Sequence, residues 1–384
     1  MVDTDTTVSG PQSYNGDLSI TDTGSITFQP NPGDIYVDGS LNNAGSINSA
    51  ESVHVSSELN NSGSIMSKGE RVNVRGNSIV NQKGGSISLN GTDYADIDAD
   101  GTLENGGSIS LNGTVYAYID ADGTLENGGS IMSKGERVNV YGDSIVNRED
   151  GSISINGTVY ADIFVYGTLE NSGSIEISSS GTAAILTNKL ENHGTVSVTG
   201  ARVAFANDVE NYNTITLTEK GVTKTYYGVN YVDENGGVTT VLDNWEDGEA
   251  GRTVSLKLKD NSETREGYNF FWQVGNDKYQ AGSTLGFVVS GVTNIKALWD
   301  KIAAPAGSAT VAELFEKQIE ARVFDAERNE LQQGEDYDCV FYTSLGRRVV
   351  QFTPEQLEAM EAGAHLFYIL DENDVEWEYT IVKG

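Results

Sequence analysis

The sequence predicts an all-β chain: a parallel β-helix of about nine coils of ~21 residues, followed by two small β-rich domains. Three observations predict it. A Gly-Ser-Ile marker, or a close variant, recurs at Gly24, Gly45, Gly63, Gly85, Gly107, Gly129, Gly151, Gly173, Gly194 and Asn213, in steps of 21, 18, 22, 22, 22, 22, 22, 21 and 19 residues. Between markers, apolar and polar residues alternate in short runs broken by turn residues, as in strands with one buried and one wet face. Near Tyr226 the marker disappears, and the rest reads as short strands with aromatic anchors. The domains this implies are 1–218, 219–302 and 303–384.

The coil that starts at Gly107 shows the unit. Ile109 and Leu111 make one run, Asn112-Gly113 turns the chain, and Val115, Ala117, Ile119 and Ala121 make a second run that ends at Gly123. Leu125-Glu-Asn127 is a third short side. Three such strands cannot bury their apolar faces alone, but stacked copies enclose a continuous core. The expected core begins with Ile26, Phe28, Ile35, Val37 and Leu41. It ends with Ile163, Val165 and Leu169, then Ala184, Leu186 and Leu190, then Val203, Phe205 and Val209. A second column is asparagine, from Asn43 through Asn127 to Asn211. These read as turn residues that tolerate left-handed backbone and whose amides can bond the same group one rung away. Ser67-Lys-Gly-Glu-Arg-Val-Asn-Val recurs at Ser133, 66 residues on, so blocks of three coils were duplicated. Residues 1–23 read as an N-terminal cap over the open coil end.

Composition excludes several classes. Of 384 residues, 56 are acidic and 24 basic, a net charge of −32 that opposes binding to nucleic acid or an anionic membrane. The single Cys339 rules out an internal disulfide framework and a cysteine zinc site. No apolar run approaches the ~18 residues of a membrane span. Met1-Val-Asp-Thr-Asp has no signal-peptide pattern and reads as the trimmed start of an exported protein.

The outward columns of the second run carry the candidate sites. Aligned on the glycine that closes the run, they read Arg75, Asp100, Asp122, Tyr141, Tyr166; then Asn73, Asp98, Asp120, Asn139, Phe164; then Arg71, Asp96, Tyr118, Arg137, Asp162. Asp98 and Asp100 beside Asp120 and Asp122 would repel, which points either to a Ca²⁺ site or to a solvated acidic face partly neutralised by Arg75. No other cofactor is expected. Tyr118, Tyr141, Phe164 and Tyr166 are expected to form one exposed aromatic patch suited to sugar rings or a partner protein. No catalytic residue is identified: the three histidines share no constellation, and the nucleophile-elbow, P-loop and zinc motifs are absent.

The coil pattern resembles the right-handed parallel β-helix of bacterial surface proteins and pectin-lyase-like proteins, over about half the chain. Beyond it, Val229-Asn-Tyr-Val-Asp-Glu-Asn-Gly-Gly237, Glu266-Gly-Tyr-Asn-Phe-Phe-Trp272 and Val292-Thr-Asn-Ile-Lys-Ala-Leu-Trp299 resemble the landmarks of the Listeria–Bacteroides (internalin B-type) repeat. Phe271 stands where that family usually has glycine. Trp272 and Trp299 read as core anchors rather than ligand platforms, because aromatics dominate small cores. After the linker-like Ala303-Ala-Pro-Ala-Gly-Ser, short strands resemble immunoglobulin-like modules, with Gly334-Glu-Asp-Tyr and Ala362-Gly-Ala-His as the best points. A helix start is expected at Thr353-Pro.

Together these imply a non-enzymatic secreted or cell-surface bacterial protein, an adhesin, ligand-binding protein or stalk. Its partners would be a glycan or a surface protein of a host or neighbouring cell, with no nucleic acid and no membrane insertion. The alternative is a polysaccharide lyase or glycoside hydrolase that uses carboxylates of the acidic face. Ice binding would need flat threonine arrays, which the mixed columns lack.

Overall fold

The marker glycines set the shape of each corner. A Cβ on Gly129 would lie 2.1 Å from the carbonyl oxygen of Gly107, and one on Gly107 would lie 2.2 Å from that of Gly85. Successive coils therefore cross at a distance that no side chain fits. From these corners the strands stack in parallel, residue on residue: Ile109 lies between Ile87 and Ile131. In this computed structural model the chain is nearly all-β, with a solenoid of about ten turns and small sheets after it. All residues are described except 243, 262–264, 266–267, 302–314, 344–347, 362, 372–374 and 384; of 315–318, 342–343 and 382–383 only the backbone is. The linker-like Ala303-Ala-Pro-Ala-Gly-Ser and the landmark residues Glu266, Gly267 and Ala362 lie outside the described residues.

The solenoid core is one apolar column stack. The expected residues of the early and middle coils, such as Ile26, Phe28, Val53, Val74, Ile119, Leu125 and Ile163, are fully or almost fully buried. Two coils depart from expectation: in the last, Val203, Phe205 and Val209 are only partly buried, and in an earlier one the phase differs. In Thr182-Ala-Ala-Ile-Leu the apolar residues are consecutive, so alternation alone does not fix the phase, and the core takes Ala183 and Ile185 while Leu186 faces out, 38% exposed. Residues 1–23 are not a separate cap but a further coil. Asp5–Val8, Gln12–Tyr14 and Leu18–Ile20 stack in parallel on Ser25–Phe28, Gly33–Val37 and Leu41–Asn43.

The asparagine column lies inside rather than at left-handed turns. Asn43, Asn61, Asn81, Asn105, Asn127, Asn147, Asn171, Asn192 and Asn211 are all buried, and among the described residues only Ser49, Lys220 and Arg328 combine a side chain with positive φ. From Asn43 to Asn192 each Nδ2 donates to the Oδ1 one coil on, at 2.8 Å from Asn105 to Asn127 and again from Asn127 to Asn147, and the ladder ends where Asn211 donates to the Tyr226 carbonyl. Most Nδ2 groups also donate to a backbone carbonyl, as Asn105 does to Ser130. An amide ladder in a dry interior satisfies groups whose desolvation would otherwise cost ~1–3 kcal/mol each.

An antiparallel hairpin, Thr214–Glu219 with Val222–Tyr227, follows the last coil. Tyr226 and Trp245 join the solenoid core. Trp245 opens a short 3₁₀ helix, Trp245–Gly248, whose cap Asn244 accepts from the Glu246 amide through Oδ1 at 3.1 Å. A five-stranded sheet comes next, in the order Val238–Thr240, Val229–Val232, Thr293–Lys301, Tyr268–Val274, Asp277–Tyr279. Its core holds Tyr231, Trp272 and Ile295, and Trp272 donates to the Lys259 carbonyl at 2.8 Å. Trp272 is thus a buried anchor, whereas Trp299 is only half-buried.

The chain divides into two compact units, one of Met1–Ser262 with Phe270–Leu298, the other of Glu263–Asn269 with Trp299–Gly384. The second holds two three-stranded antiparallel sheets. One joins Phe315–Ile319, Tyr337–Thr343 and Arg348–Phe352; the other joins Ala321–Phe324, Gly363–Asp371 and Glu376–Lys383. Val323, Tyr337, Phe352, Phe367 and Tyr379 fill its core. The helix expected at Thr353-Pro is present as Pro354–Ala359, with Thr353 Oγ1 accepting from the Gln356 amide at 3.3 Å. No helix among the described residues is long and apolar enough to cross a membrane.

Candidate binding face

The second strand of each coil presents its polar side outward, and stacking turns these residues into columns. Backbone pairing corrects the alignment made on the closing glycine. Arg75 pairs with Asp98 rather than Asp100, Asp120 with Tyr141, and Tyr141 with Phe164. The reason is local. Gly76 and Gly142 pair with Ala99 and Ala121, whereas Gly101 and Gly123 stand two residues beyond those alanines in the same strands. Aligning all four therefore slips the duplicated coils by two residues. The true columns are Arg71–Tyr94–Tyr116–Arg137–Tyr160, then Asn73–Asp96–Tyr118–Asn139–Asp162, then Arg75–Asp98–Asp120–Tyr141–Phe164–Leu186.

The first column is a stack of rings and guanidinium groups. Arg71 lies 5.1 Å from the Tyr94 ring centre, Tyr94 and Tyr116 stack at 4.4 Å, and Arg137 sits 5.4 and 5.7 Å from Tyr116 and Tyr160. Arg137 also donates to the Tyr116 hydroxyl at 2.9 Å. Sequence reading passed over Tyr94, Tyr116 and Tyr160, although a signal existed in the recurring Gly-Thr-x-Tyr-Ala. Tyr118 belongs with this group, 5.5 Å from Tyr116 and 6.1 Å from Tyr94. Its hydroxyl pKa is driven up, first by burial and then by a hydrogen bond with Tyr160.

Tyr141, Phe164 and Tyr166 form a separate, continuous cluster. Ring centres are 6.0 Å apart for Tyr141 and Phe164 and 4.9 Å for Phe164 and Tyr166, the latter pair edge to face. Tyr166 is 64% exposed, and the exposed Leu186 lies beside Phe164 on the next coil. The four expected aromatics are thus divided three and one, and Leu186 extends the larger group. Beneath them Asn139, only 2% exposed, donates through Nδ2 to Tyr141 at 2.8 Å and to Asp162. Asn139 Oδ1, Asn73 Oδ1 and Arg137 Nε are buried without a hydrogen-bond partner.

The acidic residues do not act as one group. Arg75 pairs with Asp98 at 3.4 Å and with Asp100 at 2.7 Å. Asp98 and Asp120 are cross-strand neighbours, both with carboxyls raised, first by burial. Asp122 is exposed. Among the described residues no group of three or more His, Cys, Asp or Glu is placed to hold a metal ion. The stronger perturbations fall on two aspartates outside the expected set. Burial pushes Asp96 up to about 6, against hydrogen bonding from Asn73 at 2.7 Å. Asp162, in the duplicated block, is likewise pushed by burial to about 6, against Asn139.

The histidines stay apart. His54 stacks on Tyr36 at 5.0 Å, His193 on Tyr212 at 4.2 Å, and His365 bonds the Glu361 carbonyl at 2.7 Å. No protein-family model matches the chain, and neither a curated protein nor a solved structure matches it.

Proposed function

We propose that the protein is a non-enzymatic, secreted or surface-displayed bacterial binding protein whose solenoid presents a glycan-binding face. The ring cluster of Tyr141, Phe164 and Tyr166, half-buried at the first two rings and exposed at Tyr166, carries this reading. Contiguous exposed rings on a soluble protein mark contact surfaces, and the flat C–H faces of sugars stack on such rings. Asp162 and Asp120 stand in the adjoining positions to accept from hydroxyls. The likeness of residues 219–302 to Listeria–Bacteroides repeats and of 303–384 to immunoglobulin-like modules supports a surface role, as both resemble stalk units. The purified chain should bind selected members of an immobilised glycan panel, and Ser at positions 141, 164 and 166 should abolish that binding. Binding to matrix proteins in place of glycans would replace the ligand class.

A second reading, polysaccharide cleavage, is favoured by one observation. Asp96, held near pH 6, lies two residues from Asp98 on one strand, with Asp120 on the next coil. A carboxyl with a raised pKa beside further carboxylates is the kind of pairing that glycosidases use. Reducing-sugar release that disappears in Asp96→Asn would establish it in place of the first reading.

A further inference from the structure

The solenoid does not end flush. In its last coil Val203, Phe205 and Leu217 remain only partly buried. Between this coil, the hairpin Thr214–Glu219/Val222–Tyr227 and the helix Trp245–Gly248 lies a cavity of about 660 Å³. That volume falls within the ~300–1,000 Å³ of small-ligand sites. Its apolar wall is a cluster of rings, with Phe205 and Tyr226 centred 5.4 and 4.6 Å from Trp245. Asn207, Asn244, Glu219 and Glu246 also line it, so hydrogen-bonding groups face the ring cluster.

Lys220 supplies the cavity's uncommitted cation, in a lining that also carries Glu219 and Glu246. It occupies the first central position of a two-residue turn, with φ 50°, followed by Gly221 at φ 78°, while Glu219 pairs with Val222. That geometry favours asparagine or glycine, and a lysine there is an uncommon choice. The other lysine lining the cavity, Lys224, is paired with Glu249 at 3.1 Å, whereas among the described residues no carboxylate pairs with Lys220. In a chain of net charge −32, an uncommitted ammonium beside a ring-walled cavity is a selective feature.

We propose that this cavity binds a uronic acid unit of an acidic glycan. The sugar's C–H face packs on the wall of Phe205 and Trp245, its hydroxyls meet the amide and carboxylate groups, and its carboxylate meets Lys220. A purely apolar acid would leave the polar groups without partners, and a neutral sugar would leave Lys220 unused. The site is separate from the face of Tyr141, Phe164 and Tyr166, and does not depend on it.

Calorimetry on the whole chain with methyl β-glucuronide and methyl β-glucoside tests the proposal. The glucuronide should bind at one site, about tenfold or more tighter than the glucoside, the scale of a hydrogen bond to a charged group. Lys220→Asn should erase the preference without lowering the melting temperature, because asparagine suits the turn. A chain with Ser at 141, 164 and 166 should bind the glucuronide as before. No saturable binding at tens of millimolar, equal affinity for both sugars, an unchanged preference in Lys220→Asn, or loss of binding in the triple variant would each overturn it.

Discussion

Asp98 and Asp120 stand directly opposite each other on adjacent coils, and among the described residues only Asp98 of the two has an ion pair, with Arg75 at 3.4 Å. Arg75 thus neutralises one end of an acidic column in which stacking sets like charges one rung apart. Because Arg75 engages Asp98 and Asp100, and Asp122 faces solvent, millimolar Ca²⁺ is expected to leave the melting temperature where chelator leaves it. A concentration-dependent rise would show that the four carboxylates bind the ion after all.

Asp96 makes stability depend on pH in an unusual direction. Its carboxyl is held at about 6 in the fold against an ordinary 3.8, so the fold prefers the protonated form. The contribution is full below about pH 4, falls as the unfolded chain ionises, and is gone once pH has risen through 6. It amounts to on the order of 2 kcal/mol. Urea midpoints should drop between pH 4.5 and 7. In Asp96→Asn that slope should lessen, with Asp162 keeping a like share, while stability at pH 7 rises. An unaltered slope in the variant would assign the effect to the chain's general negative charge instead.

The amide ladder should be least tolerant in its middle. Asn127 accepts from Asn105 and donates to Asn147, both at 2.8 Å, so Asn127→Leu strands groups on two neighbours. A loss of about 2–4 kcal/mol is expected in urea denaturation. Asn43 starts the ladder with its Oδ1 unpartnered, and Asn43→Leu should cost clearly less. Equal losses at both positions would mean that the amides act singly.

The fold was legible because its cause is repeated. A glycine on which any Cβ would fall about 2.1 Å from a carbonyl oxygen, and apolar residues that must alternate, leave the same mark in successive coils. The ladder was legible as a column but not as an interior one, since a short polar residue next to a turn reads as a turn residue. The face was harder. Two coils carry glycine inside the strand at Gly76 and Gly142, which hides a two-residue slip, and outward residues obey no pattern strong enough to reveal it. Leu186 reads as a core residue for a related reason: in a consecutive apolar run, only pairing with Phe164 and its neighbours decides which residue faces water.

The central claim is that the ring cluster of Tyr141, Phe164 and Tyr166 is a binding surface. Tyr166 is exposed, and Tyr141 and Phe164 are half-buried and outside the solenoid core, so replacing the three rings with Ser removes surface contacts and few core ones. The direct measurement is the affinity of the whole chain for its best glycan-panel ligand, before and after that triple substitution, with melting curves run alongside. The account predicts a folded variant whose binding is lost by a hundredfold or more, on the scale of ~1–1.5 kcal/mol for each ring contact removed. A folded variant that binds as tightly as the parent would contradict it.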